Sequence, residues 1–463
     1  MKKEVVVIGS GVGGSASAAL LAKAGCSVSL FEMHPFPGGR CSTFERDGFH
    51  YDFGVHMFSR GDHGPHGKVN RMIGGHLKWK SNNPACKVLG AAEFDFPLNI
   101  KPLLTRAWLA RKLGLRFRSL YGVYRLFNDL FSSKNIEEND DITLMEYVSR
   151  YTDDNQIHLF INCLSQLYFA LSYQEASAGE FIWCFSRMFN EAGFGYPIGG
   201  SSAIPKSFLE GFGRFGGNAF YDLPIKKIRI ENNRVVGIET QRGFQKADLI
   251  ISNMGLVRTI DLVGREYFPE EYIENLGHYR YSNAYITIKY ALDRKVIKPP
   301  VVFYMPNLPA NRAFDYIHEK TVPEDPYIFM PVPSNHDDRL APAGKQIVIA
   351  GTAAPPNASN KLCEAILNVV HNKVCDLFPD FANAILWQSR SNRSDTTNLT
   401  QHPTGEAIGI GQHSGQTGRL RPSLKTPIEG LWLVGSDVGA RGIGTEIASK
   451  SALNLLQCIE AAQ

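Results

Sequence analysis

Gly9, Gly11 and Gly14 stand in G-x-G-x-x-G spacing between a short β-branched run, Val5–Ile8, and an alanine-rich segment from Ser15 to Ala24. A second apolar run, Ser27–Phe31, follows and ends at Glu32. Strand, glycine turn, helix, strand and acid in that order constrain the chain to a dinucleotide-binding βαβ unit. The first glycine permits the tight turn. The second lets a pyrophosphate approach the backbone, and the third lets helix and strand pack closely. Unpaired N–H groups at the helix start then face the anion. Glu32, roughly 20 residues beyond the first glycine, is placed to accept from a ribose 2′-hydroxyl, and its charge argues against the 2′-phosphate of NADP.

The chain has 463 residues, 44% hydrophobic and 20% charged, enough for a sizeable core split over several units. A formal net charge of +4 does not point to nucleic acid. No uninterrupted apolar run approaches the ~20 residues of a spanning helix. The first strand begins almost at Met1, leaving no room for a signal peptide, and the eight cysteines include no C-x-x-C pair. A cytoplasmic protein with reduced cysteines is expected. His63 and His66 flank a Gly-Pro turn beside Asp62, but no further ligand completes a metal set, so a polar surface loop is expected and no metal.

Gly38-Gly39-Arg40 lies shortly after Glu32, where extra backbone and one guanidinium would meet a dinucleotide phosphate. An NAD enzyme has no need of this second element. Here the chain resembles the flavin amine oxidase and phytoene desaturase superfamily, whose FAD sites join the two motifs. The resemblance implies an α/β fold, a Rossmann-like FAD-binding domain interleaved with an α+β substrate domain. Asp52 and Gly54 match the superfamily's Asp-x-Gly element near the flavin, and His56 two residues on is more like retinol saturases. His56 reads equally as a packed, hydrogen-bonded histidine.

Between Lys101 and Lys134, Arg106, Arg111, Lys112, Arg116, Arg118 and Arg125 face only Asp129. Leu113, Phe117, Leu120, Tyr124, Phe127 and Phe131 form one helical stripe. Contact of 101–134 with an anionic membrane surface is one reading; a lid helix packed on its own domain is the favoured one. Residues 142–185 read as further helices, core or tunnel lining. A helix over 204–212 leads to strands at 225–230 and 235–239 around the Asn232-Asn233 turn, and then to a strand ending near Asn253. The resemblance sets Ile225 beside the adenine. Runs at 283–292, 301–305, 327–332 and 346–352 predict a second, mostly antiparallel sheet. The loop 333–345 resembles one recurrent in phytoene desaturases.

At the far end, Gly430–Asp437 is a buried strand ending at a glycine, Gly435, and an acid. Gly439–Gly444 and a helix over 446–459 follow. The carboxylate of Asp437 suits a ribityl hydroxyl, and the helix start suits the flavin's O2 edge. Phytoene desaturases often carry His-Pro-Gly just beyond this acid. Val438-Gly439-Ala440-Arg441 departs from that, which bears on phytoene itself as substrate and leaves the fold unaffected.

The resemblance therefore implies an FAD-dependent oxidoreductase acting on an apolar isoprenoid or polyene. Residues 1–80, 200–270 and 420–463 would form the FAD-binding domain; 81–199 and 271–419 would form the substrate domain. Gly9, Gly11, Gly13, Gly14, Glu32, Gly38, Gly39, Arg40, Asp52, Gly54, Ile225, Gly435, Asp437 and Gly444 are expected around the cofactor. His56, Arg441 and Glu446 are the polar side chains expected nearest the reacting ring. Amine oxidation is the alternative, although no aromatic cage or lysine beside the flavin is visible in the sequence. A prenyl-lipid escort without flavin is a third reading, opposed by Glu32, Arg40 and Asp437. The sequence leaves oligomeric state, electron acceptor and direction of the redox step open.

Overall fold

In the computed structural model, residues 2–54, 58–81, 83–191, 194–402 and 404–461 are described. The strand Glu4–Ile8 sits at the centre of a five-stranded sheet in which every pairing is parallel. Its neighbours are Leu249–Ser252 on one side and Ser27–Phe31 on the other, with Leu431–Leu433 and Asn218–Phe220 at the edges. The strand is buried from Val5 to Ile8, as expected where a parallel sheet is covered on both faces. Sequence from the start, middle and end of the chain thus meets in one sheet.

The first helix runs Val12–Lys23, three residues earlier than its alanine-rich run suggests, because the glycine loop is itself the opening turn. Every residue from Val12 to Ala22 is buried, and the helix packs on Ala203–Arg214 and Thr445–Ala461. Small side chains allow that approach from both sides. The meander forms as expected at Lys227–Glu231 and Arg234–Thr240, with Asn232 and Asn233 at φ 48° and 58° in the turn. A third strand, Gly243–Lys246, extends it. It is short and exposed, so hydrophobic alternation does not mark it.

The second sheet is seven-stranded and mixed, with all neighbours antiparallel except Cys86–Gly90 beside Val301–Met305. The expected strands appear as Ala284–Leu292, Val301–Met305, Ile328–Pro331 and Gln346–Ala354. Helices Leu120–Ser132, Asn155–Phe169 and Ala178–Asn190 add an aromatic core that includes Phe127, Phe160, Phe169, Phe181 and Phe185.

Two local expectations need correction. The basic stripe is not one helix: Leu103–Lys112 stops before Gly114, which sits at φ 66°, and a new helix begins at Leu120. Only glycine enters that left-handed conformation freely. His66 is not on a surface loop. It lies buried in the helix Pro65–Met72, stacked on Trp79, with Nδ1 2.8 Å from the Ser449 hydroxyl and Nε2 3.1 Å from that of Thr445.

Candidate functional site

A cleft of about 380 Å³ opens along the ends of the parallel strands. The glycine turn forms one wall. Gly9 has φ 89°, and a Cβ on Gly14 would lie 1.9 Å from the Gly9 carbonyl oxygen. The Asn253 side chain, at the end of the neighbouring strand, fills the space beside the loop. A Cβ on Gly11 would fall 2.8 Å from its Nδ2, and one on Gly13 2.6 Å from its Oδ1. The helix that follows has no side-chain cap, so its first N–H groups face the cleft.

Glu32 is buried and accepts from the Ser10 N–H at 2.8 Å, the Ser10 hydroxyl at 2.7 Å and the His34 N–H at 3.0 Å. A carboxylate offers about four lone-pair sites, which leaves one for a ribose hydroxyl. Gly38 pairs with Gly11 through a parallel bridge, bringing the second glycine element against the first. Arg40 follows, donating to the Ile408 carbonyl at 3.0 Å, the Ser436 hydroxyl at 3.4 Å and Glu406 Oε1 at 3.0 Å. Burial alone would raise the Glu406 carboxyl. The His402 imidazole, hydrogen-bonded to it, and then Arg40 pull it down to about 2. Asp437 is buried and takes the N–H groups of Leu256 and Ile410, each at 3.0 Å.

Beyond these groups the lining turns apolar and aromatic, with Leu167, Tyr168, Ala170, Tyr285, Phe329 and Ile443. Thr287 and Ser391 also face this end, and both hydroxyls accept from the ammonium of Lys289, at 2.7 Å for Thr287. Lys289 is buried, stands 5.4 Å from the Phe53 ring centroid, and is pushed down to about 7 by burial.

Twelve of the residues expected from the sequence line this cleft: Gly9, Gly11, Gly13, Glu32, Gly38, Gly39, Arg40, Gly54, Ile225, Gly435, Asp437 and Gly444. Gly14 lies behind it as a packing position. Asp52 is turned to the interior, holding the Thr43 hydroxyl at 2.7 Å, the Tyr196 hydroxyl at 2.5 Å and the Ser201 N–H at 2.9 Å. Arg441 does not reach the cleft. Its guanidinium bonds Asp140 at 2.8 Å and Glu180 at 2.9 Å. Glu446 is likewise committed, its Oε2 lying 3.1 Å from Arg60 Nη2. Charge pairs so placed hold segments together, because removing one partner strands a buried charge. His56 lies outside the described residues.

Asn253, Arg258 and Lys289 are functional candidates that sequence reasoning missed. Arg258 lines the cleft at the start of the helix Leu256–Val263, and its Nε is buried with no hydrogen-bond partner among the described residues. A half-buried cation with an orphaned donor, beside a cradle that a Cβ would fill, fits the phosphates of a dinucleotide. The residues present therefore suit the cofactor that the resemblance implies.

The comparisons with known proteins agree with this geometry. Residues 7–74 match the family model of an NAD(P)-binding Rossmann-like domain. A zeta-carotene-forming phytoene desaturase of Myxococcus xanthus is 25% identical, covering 94% of this chain and 89% of its own. The chloroplastic prolycopene isomerase of Daucus carota is 23% identical over 93% of this chain and 76% of its own. An all-trans-retinol 13,14-reductase of Danio rerio is 23% identical, with 94% and 82% covered. The chain resembles this desaturase, isomerase and retinol-reductase branch. Its fold matches the crystal structure of an oxidoreductase from Methanosarcina mazei with a TM-score of 0.78, at 22% identity and over 98% of this chain and 100% of that one. Likeness to the branch spans both sheets and the helices between them, beyond the Rossmann-like segment alone.

Proposed function

We propose that the chain is an FAD-dependent oxidoreductase acting on the C=C bonds of an apolar isoprenoid or polyene, by desaturation, saturation or isomerisation. The observation that carries this reading is the continuity of one cleft: a glycine-lined nucleotide wall runs directly into an apolar, aromatic wall. Bound FAD would supply hydride transfer at flavin N5. Gly9, Gly11, Gly13, Gly38, Gly39 and Arg258 would meet the phosphates, Glu32 a ribose and Asp437 the ribityl chain. Residues 1–80, 200–270 and 420–463 are proposed as the unit that holds it. Leu167, Tyr168 and Phe329 would hold a hydrocarbon chain by shape and exclude water from the reacting carbons.

Anaerobic photoreduction followed by mixing with polyenes, quinones and dioxygen tests this directly. Reoxidation by a polyene, or bleaching of the oxidised protein by a more saturated isoprenoid, is expected. Inertness towards every isoprenoid would overturn it. Amine oxidation is kept as a second reading on one observation, the buried Lys289 behind Thr287 and Ser391. Rapid bleaching by monoamines or diamines, with none by isoprenoids, would decide for it.

Access to such a substrate is proposed to run through a lipid surface. Most large apolar side chains left exposed among the described residues cluster at Leu103, Leu104, Trp108, Phe117, Leu120, Tyr121 and Tyr124. Of the stripe expected to pack on its own domain, Leu113 and Phe127 are buried and Phe131 partly so, whereas Phe117, Leu120 and Tyr124 are exposed; Leu109, Val123 and Leu126 complete the buried face instead. Lys101, Arg111, Lys112 and Arg118 are exposed and interleave with this set in sequence, and no helix among the described residues is long and apolar enough to cross a membrane. Flotation with anionic liposomes at low salt is expected, and its loss in Phe117→Ser/Leu104→Ser would map it here. Absence of flotation at low salt would dismiss the contact.

A further inference from the structure

At the apolar end of the cleft, one amide has no hydrogen-bond partner among the described residues. Gln166 lies in the last turn of the helix Asn155–Phe169, is 1% exposed and lines the cleft. Both its Oε1 and its Nε2 are buried without a hydrogen-bond partner among the described residues. Asn162, one turn earlier and equally buried, shows the contrast. Its Nδ2 donates to the Ala310 carbonyl at 2.9 Å, and its Oδ1 accepts from the Tyr173 N–H at 3.0 Å. The helix thus satisfies one buried amide internally and leaves the other, beside the cleft, without a partner among the described residues.

Burying a polar group without a partner is unfavourable, so a leucine here would serve a purely hydrocarbon ligand better. The other polar groups on this wall are engaged. The Tyr168 hydroxyl donates to Met188 Sδ at 3.3 Å and that of Tyr285 to the Gly351 carbonyl at 3.3 Å. The Thr287 and Ser391 oxygens receive Lys289. Among the described residues of this wall, only Gln166 presents a donor and an acceptor side by side with neither used.

We infer that the substrate is an oxygenated isoprenoid or polyene whose hydroxyl or protonated carboxyl group is held by the Gln166 amide inside the cleft. Such a group both accepts from Nε2 and donates to Oε1, whereas an unsubstituted hydrocarbon does neither. A site built around a substrate's hydrogen-bonding group discriminates against the analogue that lacks it. The inference rests on the function proposed above and narrows it.

The test compares a hydroxylated polyene with its parent hydrocarbon, in the FAD-loaded wild type and in Gln166→Leu. Wild type is expected to prefer the hydroxylated compound about tenfold to a hundredfold in kcat/KM. The same preference is expected in the dissociation constant, read by fluorescence quenching without turnover. Gln166→Leu should lose that preference, chiefly through the hydroxylated compound, while holding FAD with an unchanged absorbance spectrum. Gln166→Glu should restore part of the preference for the alcohol. Equal preference in wild type and Gln166→Leu would overturn the inference and leave the proposed function standing. A shifted flavin spectrum or weakened FAD binding in Gln166→Leu, without a change of preference, would overturn it by assigning the amide to the cofactor. Failure of the wild type to exchange electrons with either compound would instead count against the proposed function itself.

Discussion

Replacing Gly14 with alanine is expected to yield a chain that neither retains FAD nor keeps its normal thermal midpoint. The added Cβ would sit 1.9 Å from the Gly9 carbonyl oxygen and 3.1 Å from its carbon, both rigid backbone atoms. The helix cannot retreat, since it is buried from Val12 to Ala22 and backed by Ala203–Arg214 and Thr445–Ala461. Overpacking of this kind costs at least about 1–3 kcal/mol, and more where neighbouring backbone must move. The glycine turn itself would then open. Gly213→Ala is the matched control. It lies exposed in the helix Ala203–Arg214, and a Cβ there has nothing within 4 Å. That change should gain roughly 0.5–1 kcal/mol, because alanine is the better helix residue. Flavin content and thermal midpoint measured side by side check both, and Gly14→Ala behaving like Gly213→Ala would refute the packing account.

Lys289→Met is expected to stabilise the protein strongly below neutral pH and hardly at all near pH 10. Lys289 is buried, and burial pushes it from 10.5 down to about 7, with only partial opposition from Asp395 and Asp52. The unfolded chain keeps this proton until about pH 10.4, so between about pH 7 and that value the unfolded state binds more protons. Stability therefore rises with pH across that window, and the full penalty of the lysine is present below it. A shift of this size corresponds to an upper figure on the order of 5 kcal/mol. Methionine has no proton to lose and fills similar space. Thermal midpoints at pH 6 and pH 10 measure the effect. An equal gain at both values would place its origin in packing instead of charge.

Local features carried much of the fold. Val5–Ile8, the glycine spacing and the Asn232-Asn233 turn each specify their conformation within a few residues, and all three form as read. The second sheet was legible for the same reason, as runs such as Val301–Met305 are long enough to mark strands. Arg441 and Glu446 are engaged away from the cleft lining by partners that arrive from far away. Asp140 and Glu180 lie in the helical region, and Arg60 lies before it. Nothing beside Arg441 in sequence announces two buried acids. Asn253 and Arg258 escaped for a related reason, since only strand order brings them to the glycine turn. Lys289 did leave a signal. Thr287 and Lys289 are two apart in an otherwise apolar strand and so share one face, which hydrophobicity alone does not predict. His66 and the break at Gly114 show the limit of composition: a histidine beside Gly-Pro looks exposed, and a stripe of aromatics looks continuous, until packing and one positive φ decide otherwise.

The central claim is that segments from the beginning, middle and end of the chain close on a single flavin nucleotide beside an apolar chamber. Titrating the purified, flavin-stripped protein with FAD, NAD and NADP, while following flavin and protein fluorescence, tests it most directly. Saturation at one FAD per chain is predicted, with quenched flavin emission, no comparable binding of NAD or NADP, and loss of FAD binding in Gly14→Ala. A protein that takes NAD in preference to FAD, or that binds neither yet still takes up an isoprenoid, would contradict it.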